Sequence, residues 1–533
     1  MTTKNIVSSV NTASLHGFEG SPVKVEVDIK AGLPSIQIVG MGSKAVDEAR
    51  QRVKSAIINS GLQFPAKKIT INLSPANIPK DGTHLDLPIA IGILVASGQI
   101  KGKLVKDFAF TGELSLSGEI LAVRGVILIT EAVKASGAKR LYIPQDNHPQ
   151  AALVKDIELC PLLSLKEVFQ SVRGMLRHEP SKDTPGGISE LLSEESSLSG
   201  AKNTSEDISE AAQGISLPRA TLDSISGHNT VKRALAIAVA GRHNILLSGP
   251  PGTGKTHIAK IAANLLPPLS DNEILEVTKI HSLSGITNST VRLPPLRTPH
   301  HSITKIAMTG GGLHPRPGEI SLSHRGVLLL DEMPEYPRST LELLRQPLED
   351  KKINLTRLYG SVEYPANILL IATMNPCPCG FYGDPDKECS CSSLQLQAYK
   401  KRLSGPLLDR IDLFINVPRL KDEYIFDSKS LQKTQHTTVV NQIISINRIQ
   451  NLRYKRRDYY NGEATTMTIK NTFKISPQTH TLAKKAKKSL QLSERALIKS
   501  LRVARTIADM SESPTIEPAH LAEALQYRSK LYV

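Results

Sequence analysis

The sequence predicts a multidomain α/β protein. Three patterns carry that prediction: short apolar runs that end in polar or acidic residues, amphipathic stretches at helical spacing between them, and a helix-rich C-terminal part. Near the start, VKVEVDI (23–29) and KKITINL (67–73) have strand character and SKAVDEARQRVKSAIINSG (43–61) has helical spacing, so a compact α/β domain is expected over 1–172. The longest apolar run, LPIAIGILVASG (87–98), is too short to span a membrane and predicts a buried helix. Residues 173–217 are rich in Ser, Gly and Glu, hold too few large apolar residues to build a core, and are expected to form a flexible acidic linker. A second α/β domain is expected over 218–420. A connector and a helical part complete the chain over 421–533, where SERALIKSLRVARTIADM (493–510) places apolar residues at helical spacing.

In the second domain the apolar run NILLS (244–248) leads into Gly249, Pro250, Pro251, Gly252, Thr253, Gly254, Lys255 and Thr256, which match G-x-x-x-x-G-K-[ST]. Glycines let successive N–H groups curl around phosphates at the positive end of the next helix, Lys255 adds a point charge near the outer phosphates, and Thr256 offers a hydroxyl to Mg²⁺. ATP is the expected ligand. Further on, GVLLLDEMPE (326–335) reads as a strand that carries Asp331 and Glu332 to the carboxyl edge of the sheet. Asp331 is expected to hold Mg²⁺ and Glu332 to orient the attacking water, which needs a carboxylate within hydrogen-bond reach. A second apolar strand, ANILLIATMN (366–375), ends in Asn375, well placed to read the γ-phosphate or the water. In GPLLDRIDLF (405–414), Arg410 has two readings: a finger that reaches a neighbouring subunit's ATP, or a structural arginine paired with Asp409 or Asp412.

The strings RTPHHSITKIAMTGGGLHPRPGEISLSHRGVLLLDE (297–332), LLRQPLED (343–350), MNPCPCG (374–380), SGPLLDRIDL (404–413), RVARTIAD (502–509) and HLAEALQYR (520–528) closely resemble the YifB/ComM group of magnesium-chelatase-like AAA+ proteins. That resemblance spans nearly the whole chain. It implies an AAA+ P-loop NTPase core with a parallel sheet, a C-terminal helical lid, and a ring, a hexamer, that uses ATP to migrate branched DNA in recombination and natural transformation. By residue-by-residue match, Asn375 is the first sensor, Arg410 the finger and Arg495 the lid sensor. The N-terminal strings PKDGTHLDLPIAIGIL (79–94) and FTGELSLSGEILAVRGV (110–126) resemble the proteolytic domain of Lon. There the nucleophilic Ser and its Lys partner fall at His84 and near Ile127. An imidazole without an activating lysine does not replace that serine, so this domain is expected to be a platform without protease chemistry.

Four of the five cysteines, Cys377, Cys379, Cys389 and Cys391, form Cys-x-Cys, nine residues, Cys-x-Cys within an insertion at 377–391. Four thiolates at this spacing can close a tetrahedral Zn²⁺ site, with turns at Gly380, Gly383 and Pro385; two reduced or redox-active pairs are the other reading. A reducing cytosol argues against structural disulfides.

The formal charge is +16; residues 178–217 carry eight acids against two bases, so the rest holds +22. Such a balance favours a polyanion partner, because Lys and Arg release counterions from phosphate backbones. Branched or single-stranded DNA is the expected partner. In DKKINLTRLYGSVEYP (350–365), Lys351, Lys352 and Arg357 are expected on a hairpin turning at Tyr359-Gly360. In RYKRRDYYNG (453–462), Arg453, Lys455 and Arg456 interleave with tyrosines, which suits backbone neutralisation and base stacking as well as a solvated connector. Lys68, Lys80, Lys101 and Lys103 are weaker candidates. With neither a secretory leader nor a membrane-length run, a cytoplasmic location is expected. A chelatase-type motor that remodels a protein partner for metal insertion is the alternative function.

Overall fold

A computed structural model describes residues 7–77, 80–174, 220–312, 315–357, 360–419, 435–456 and 458–528. The acidic 173–217 segment, beyond its first two residues, lies outside the described residues, as do the connector 420–434 and the hairpin turn 358–359. The chain forms two compact units. One comprises residues 1–217 with 281–290, and the other 218–280 with 291–533.

The first unit is a seven-stranded mixed sheet whose centre pairs Ser8–His16 with Glu19–Lys30 antiparallel, the latter pairing in turn with Lys68–Ser74. Alternation in VKVEVDI and KKITINL sends Val25, Val27, Ile69, Ile71 and Leu73 to one buried face, which fixes the register Val25↔Leu73. Against that face lie the expected helix, here Lys44–Asn59, and the apolar run, which forms the helix Asp86–Ala96 with all but its last residue buried. Because this helix is apolar all round, it belongs inside the sheet–helix sandwich. The ten residues 281–290, expected within the second domain, belong instead to this unit: the Gly125 N–H donates to Ser282 Oγ at 3.1 Å, and the Gln150 amide donates to the Thr287 carbonyl at 2.8 Å.

The second unit is built on a five-stranded sheet in the order Leu296–Arg297, Val327–Leu330, Leu369–Met374, Ile245–Ser248, Leu413–Asn416, with every neighbouring pair parallel. Its three central strands are buried at every position, as expected where helices cover both faces of a parallel sheet. The C-terminal helices Gln435–Tyr454, Pro477–Ser489, Glu494–Met510 and Pro518–Gln526 share one continuous core with this sheet. The helix 494–510 starts where Ser493 caps it by accepting from the Ala496 N–H. It is bolted to the sheet's amino edge: the Lys499 ammonium meets Asp412 at 3.1 Å, and His243 Nε2 lies 2.8 Å from Thr506 Oγ1.

Candidate active site

In a parallel sheet all the carboxyl ends of the strands share one edge and all the amino ends share the other, so loops that leave the strands gather on a single side. At the carboxyl edge the strand Ile245–Ser248 delivers the loop 249–256, and helix Lys255–Leu265 begins at Lys255 itself. Gly249 is required by close approach, since a Cβ there would sit 2.2 Å from the Val417 carbonyl oxygen. Lys255 folds back over the loop, donating to the carbonyls of Gly249 at 2.8 Å and Pro250 at 2.7 Å and to Asn375 Oδ1 at 3.2 Å. Burial lowers its pKa, opposed by Asp331 and Glu332. Thr253 Oγ1 donates to the Pro250 carbonyl at 3.0 Å, closing the loop.

The order of strands decides what meets Lys255. Leu369–Met374 lies between the loop strand and Val327–Leu330, so the amide of Asn375 falls between the lysine and the acids. Thr256 Oγ1 donates to Asp331 at 2.9 and 3.1 Å, a hydroxyl–carboxylate pair of hard oxygen donors that suits Mg²⁺. Glu332 is exposed and adopts a left-handed φ of 49°, with its N–H donating to Thr373 Oγ1 at 3.0 Å. Thr373 also donates to Asp331 Oδ1 at 2.6 Å. Sequence reasoning missed this residue; the signal was a hydroxyl two places before Asn375 in an otherwise apolar strand.

Arg410 and Arg495 lie elsewhere. Arg410 precedes the strand Leu413–Asn416 and so stands at the amino edge, about 13 Å of strand from the loop. It pairs with neither Asp409 nor Asp412: its guanidinium bonds Glu349 and the carbonyls of Arg345 and Pro406. Arg495, mostly exposed, reaches the same Glu349 at 3.9 Å. Both line a cavity of about 640 Å³ with Arg242, Arg325, Lys351 and Lys499.

The basic candidates fare unequally. Lys352 lies on the hairpin Lys352–Arg357/Gly360–Pro365, paired with Glu363 at 2.8 Å, and Arg357 faces Gly360 in its register. Lys351 precedes the hairpin, capping helix Arg345–Asp350 in a left-handed conformation; burial at the charged cavity lowers its pKa, so it does not belong to the hairpin surface. Arg453 is committed to the fold, paired with Asp509 and donating to Asn461 at 3.1 Å. Lys455 and Arg456 are exposed, the latter 5.4 Å from the Tyr459 ring centre. The tyrosines expected to stack on bases pack inward instead: Tyr460 is buried, and Tyr454 and Tyr459 meet edge-to-face and donate to Asn461 and the Glu463 carbonyl. In the first unit Lys80 is fully buried, its ammonium on the Pro75 carbonyl, and cannot face nucleic acid. His84 is also buried, with Nε2 3.1 Å from the Ala13 carbonyl oxygen and its pKa pushed down to about 4 by burial.

The cysteines converge. All four Sγ atoms lie within 4.8 Å of one another, with separations of 3.3 Å for 377–379, 3.7 Å for 377–389 and 3.6 Å for 379–389. A tetrahedral site with Zn–S bonds of about 2.3 Å has edges of about 3.8 Å, so these spacings fit metal ligands and are far too long for disulfides. Backbone N–H groups of Tyr382 and Cys379 donate to Cys377 and Cys391 sulfur.

Fold and site together define a P-loop ATPase of the AAA+ type. Three family models match the chain: "Magnesium chelatase, subunit ChlI" over 221–425, "Subunit ChlI of Mg-chelatase" over 25–147, and "Magnesium chelatase, subunit ChlI C-terminal" over 433–528. It is 38% identical to the uncharacterized protein YifB of Escherichia coli over 98% of this chain and 97% of that one, and 38% identical to competence protein ComM of Haemophilus influenzae over 96% of each. The chain belongs to the YifB/ComM family of magnesium-chelatase-like AAA+ proteins. A shorter similarity, 28% over 34% of this chain and 35% of the relative, links it to Lon protease 2 of Bacillus subtilis. Among the described residues, no helix is long and apolar enough to cross a membrane.

Proposed function

We propose that this protein is a cytoplasmic, ring-forming ATPase, a hexamer, that moves branched or single-stranded DNA in homologous recombination and natural transformation. The observation that carries the motor reading is the division of the arginines from the phosphate loop: Arg410 and Arg495 meet at Glu349 on the amino edge, while Lys255, Asp331 and Asn375 meet on the carboxyl edge. A chain so divided needs a neighbour to complete each site. Both arginines would then act on the neighbour's γ-phosphate, stabilising charge that develops there.

Within one chain, Lys255 and the loop amides bind the phosphates, Thr256 and Asp331 hold Mg²⁺, and Thr373 keeps Asp331 aimed. Glu332 orients water for in-line attack, and Asn375 reports the γ-phosphate to its strand. Bound Mg²⁺ neutralises charge on the transferring phosphoryl group. Cys377, Cys379, Cys389 and Cys391 hold structural Zn²⁺, supported by their near-tetrahedral sulfur spacing. DNA as the moved partner is supported by the charge of +16, by the likeness to a protein named for competence, and by the basic hairpin.

The test is ATP-dependent migration of a synthetic three-strand DNA branch by the purified protein, with Glu332→Gln as control. Movement lost in the variant is the expected result. Absence of movement and of DNA stimulation, with ATP hydrolysis intact, would favour the second reading, a chelatase-like ATPase that remodels a protein partner for metal insertion, to which the family descriptions point.

A further inference from the structure

The four-cysteine insertion touches the nucleotide site at several points. Cys377 is buried two residues beyond Asn375, whose Oδ1 accepts from Lys255. Gly380 adopts a φ of +86°, and a Cβ on it would lie 2.6 Å from Cδ of Pro251, so the insertion's first turn rests directly on the phosphate loop. After Cys391 the chain enters helix Ser393–Arg402, started by a capping box of Ser392 and Gln395, and Tyr399 on that helix donates back to the Asn375 carbonyl at 3.1 Å. Both ends of the insertion are therefore anchored at Asn375. A third anchor is Asp384, whose side chain is buried and paired at 3.1 Å with Arg419, whose guanidinium also lies 5.4 Å from the Phe381 ring centre. Arg419 lies two residues past Val417, whose carbonyl packs on Gly249. The loop is thus held between Gly380, which belongs to the insertion, and Val417, which strand pairing holds in place as its N–H donates to the Ser248 carbonyl at 2.7 Å.

Building on the zinc reading above, we propose that metal occupancy of the Cys377–Cys391 insertion sets the affinity of the phosphate loop for nucleotide. With the four sulfurs drawn together, Gly380 stays seated on Pro251 and Asn375 stays within reach of Lys255. With them released, the fifteen residues 377–391 lose the tie between their two cysteine pairs, and the loop loses one of its two walls. Occupancy acts as a clamp: it supplies no atom to the reaction and tunes the binding that precedes it.

The experiment uses full-length protein and reads zinc per chain by elemental analysis beside the dissociation constant of a fluorescent ATP analogue with Mg²⁺ in excess. Stripping with a zinc-selective chelator is expected to weaken nucleotide binding by about tenfold, and zinc re-addition to restore it. Gly380→Ala is expected to keep its zinc and lose a similar factor. One zinc per chain with affinity unchanged after complete stripping would overturn the clamp, whatever Gly380→Ala does, and leave the metal site standing. Absence of zinc would overturn the metal site itself. If stripped protein loses its cooperative thermal transition, zinc-replete Gly380→Ala decides: normal affinity there overturns the clamp.

Discussion

Thr373 donates to Asp331 and accepts from the Glu332 N–H, so one hydroxyl aims both acids. Thr373→Val keeps the β-branched shape and removes that hydroxyl. Hydrogen bonds to charged groups are worth about 1.5–3 kcal/mol, so ATP turnover should fall by roughly 10- to 100-fold, with a raised Mg²⁺ requirement. Unchanged Mg²⁺ dependence would mean that Thr373 does not orient Asp331. Glu332→Gln should bind ATP normally while losing on the order of 10²–10⁴ in turnover, measured as hydrolysis against fluorescent-nucleotide binding. In the first unit, Arg52 forks onto the buried Asp86 at 2.7 and 3.0 Å. Arg52→Ala leaves that carboxylate buried and unpaired, and urea unfolding should show a loss of about 3–5 kcal/mol.

Elements carry two further consequences. The sequence-expected hairpin exists and presents Lys352 on a solvent-facing strand, whereas Lys351 and Arg453 are drawn into the fold by local backbone handedness and by Asp509. The double change of Lys352 and Arg357 to Ala should weaken DNA binding evenly across sequences and reduce the salt slope by about one per lost phosphate contact. ATP hydrolysis without DNA should stay as in wild type. The helix-start histidine His84 and the strand-entry histidine His243 are each held near pKa 4 by burial, below the ordinary 6.5. The unfolded chain therefore binds more protons between those values, so the stability these groups lend is present above pH 6.5 and is lost as pH falls toward 4, by an order of 3 kcal/mol each. His84→Gln, which keeps an N–H for the Ala13 carbonyl, should flatten part of that loss in melting curves from pH 7 to pH 4.5.

At the scale of the whole molecule, the parallel sheet sets the loop and the two arginines at opposite edges, and on the proposed ring-forming reading activity is a property of the assembly. Arg410→Ala should bind ATP and lose turnover by about 10³. Mixed with Lys255→Ala, it should regain activity, because hybrid interfaces pair an intact loop with an intact Arg410. Arg495→Ala should behave likewise in the same mixing assay. If neither mixture exceeds its parents, the arginines do not serve a neighbour.

The phosphate loop, the acids and the amide were legible in the sequence because each is a contiguous string at the end of an apolar strand, and strand ends are where a parallel sheet collects polar groups. The cysteine cluster was legible for a related reason, since a short loop can bring its own pairs together. Only the tertiary structure decided that Arg410 shares Glu349 with Arg495, that Arg453 belongs to Asp509, that Lys80 is buried, and that residues 281–290 join the first unit. Apart from Lys80, whose ammonium meets the Pro75 carbonyl nearby in sequence, those outcomes depend on partners 56 to 157 residues away, such as Asp509 for Arg453 and Ser282 for Gly125. Periodicity and spacing report what a segment prefers locally; which distant charge or backbone group lies across from it is settled by packing of the whole chain.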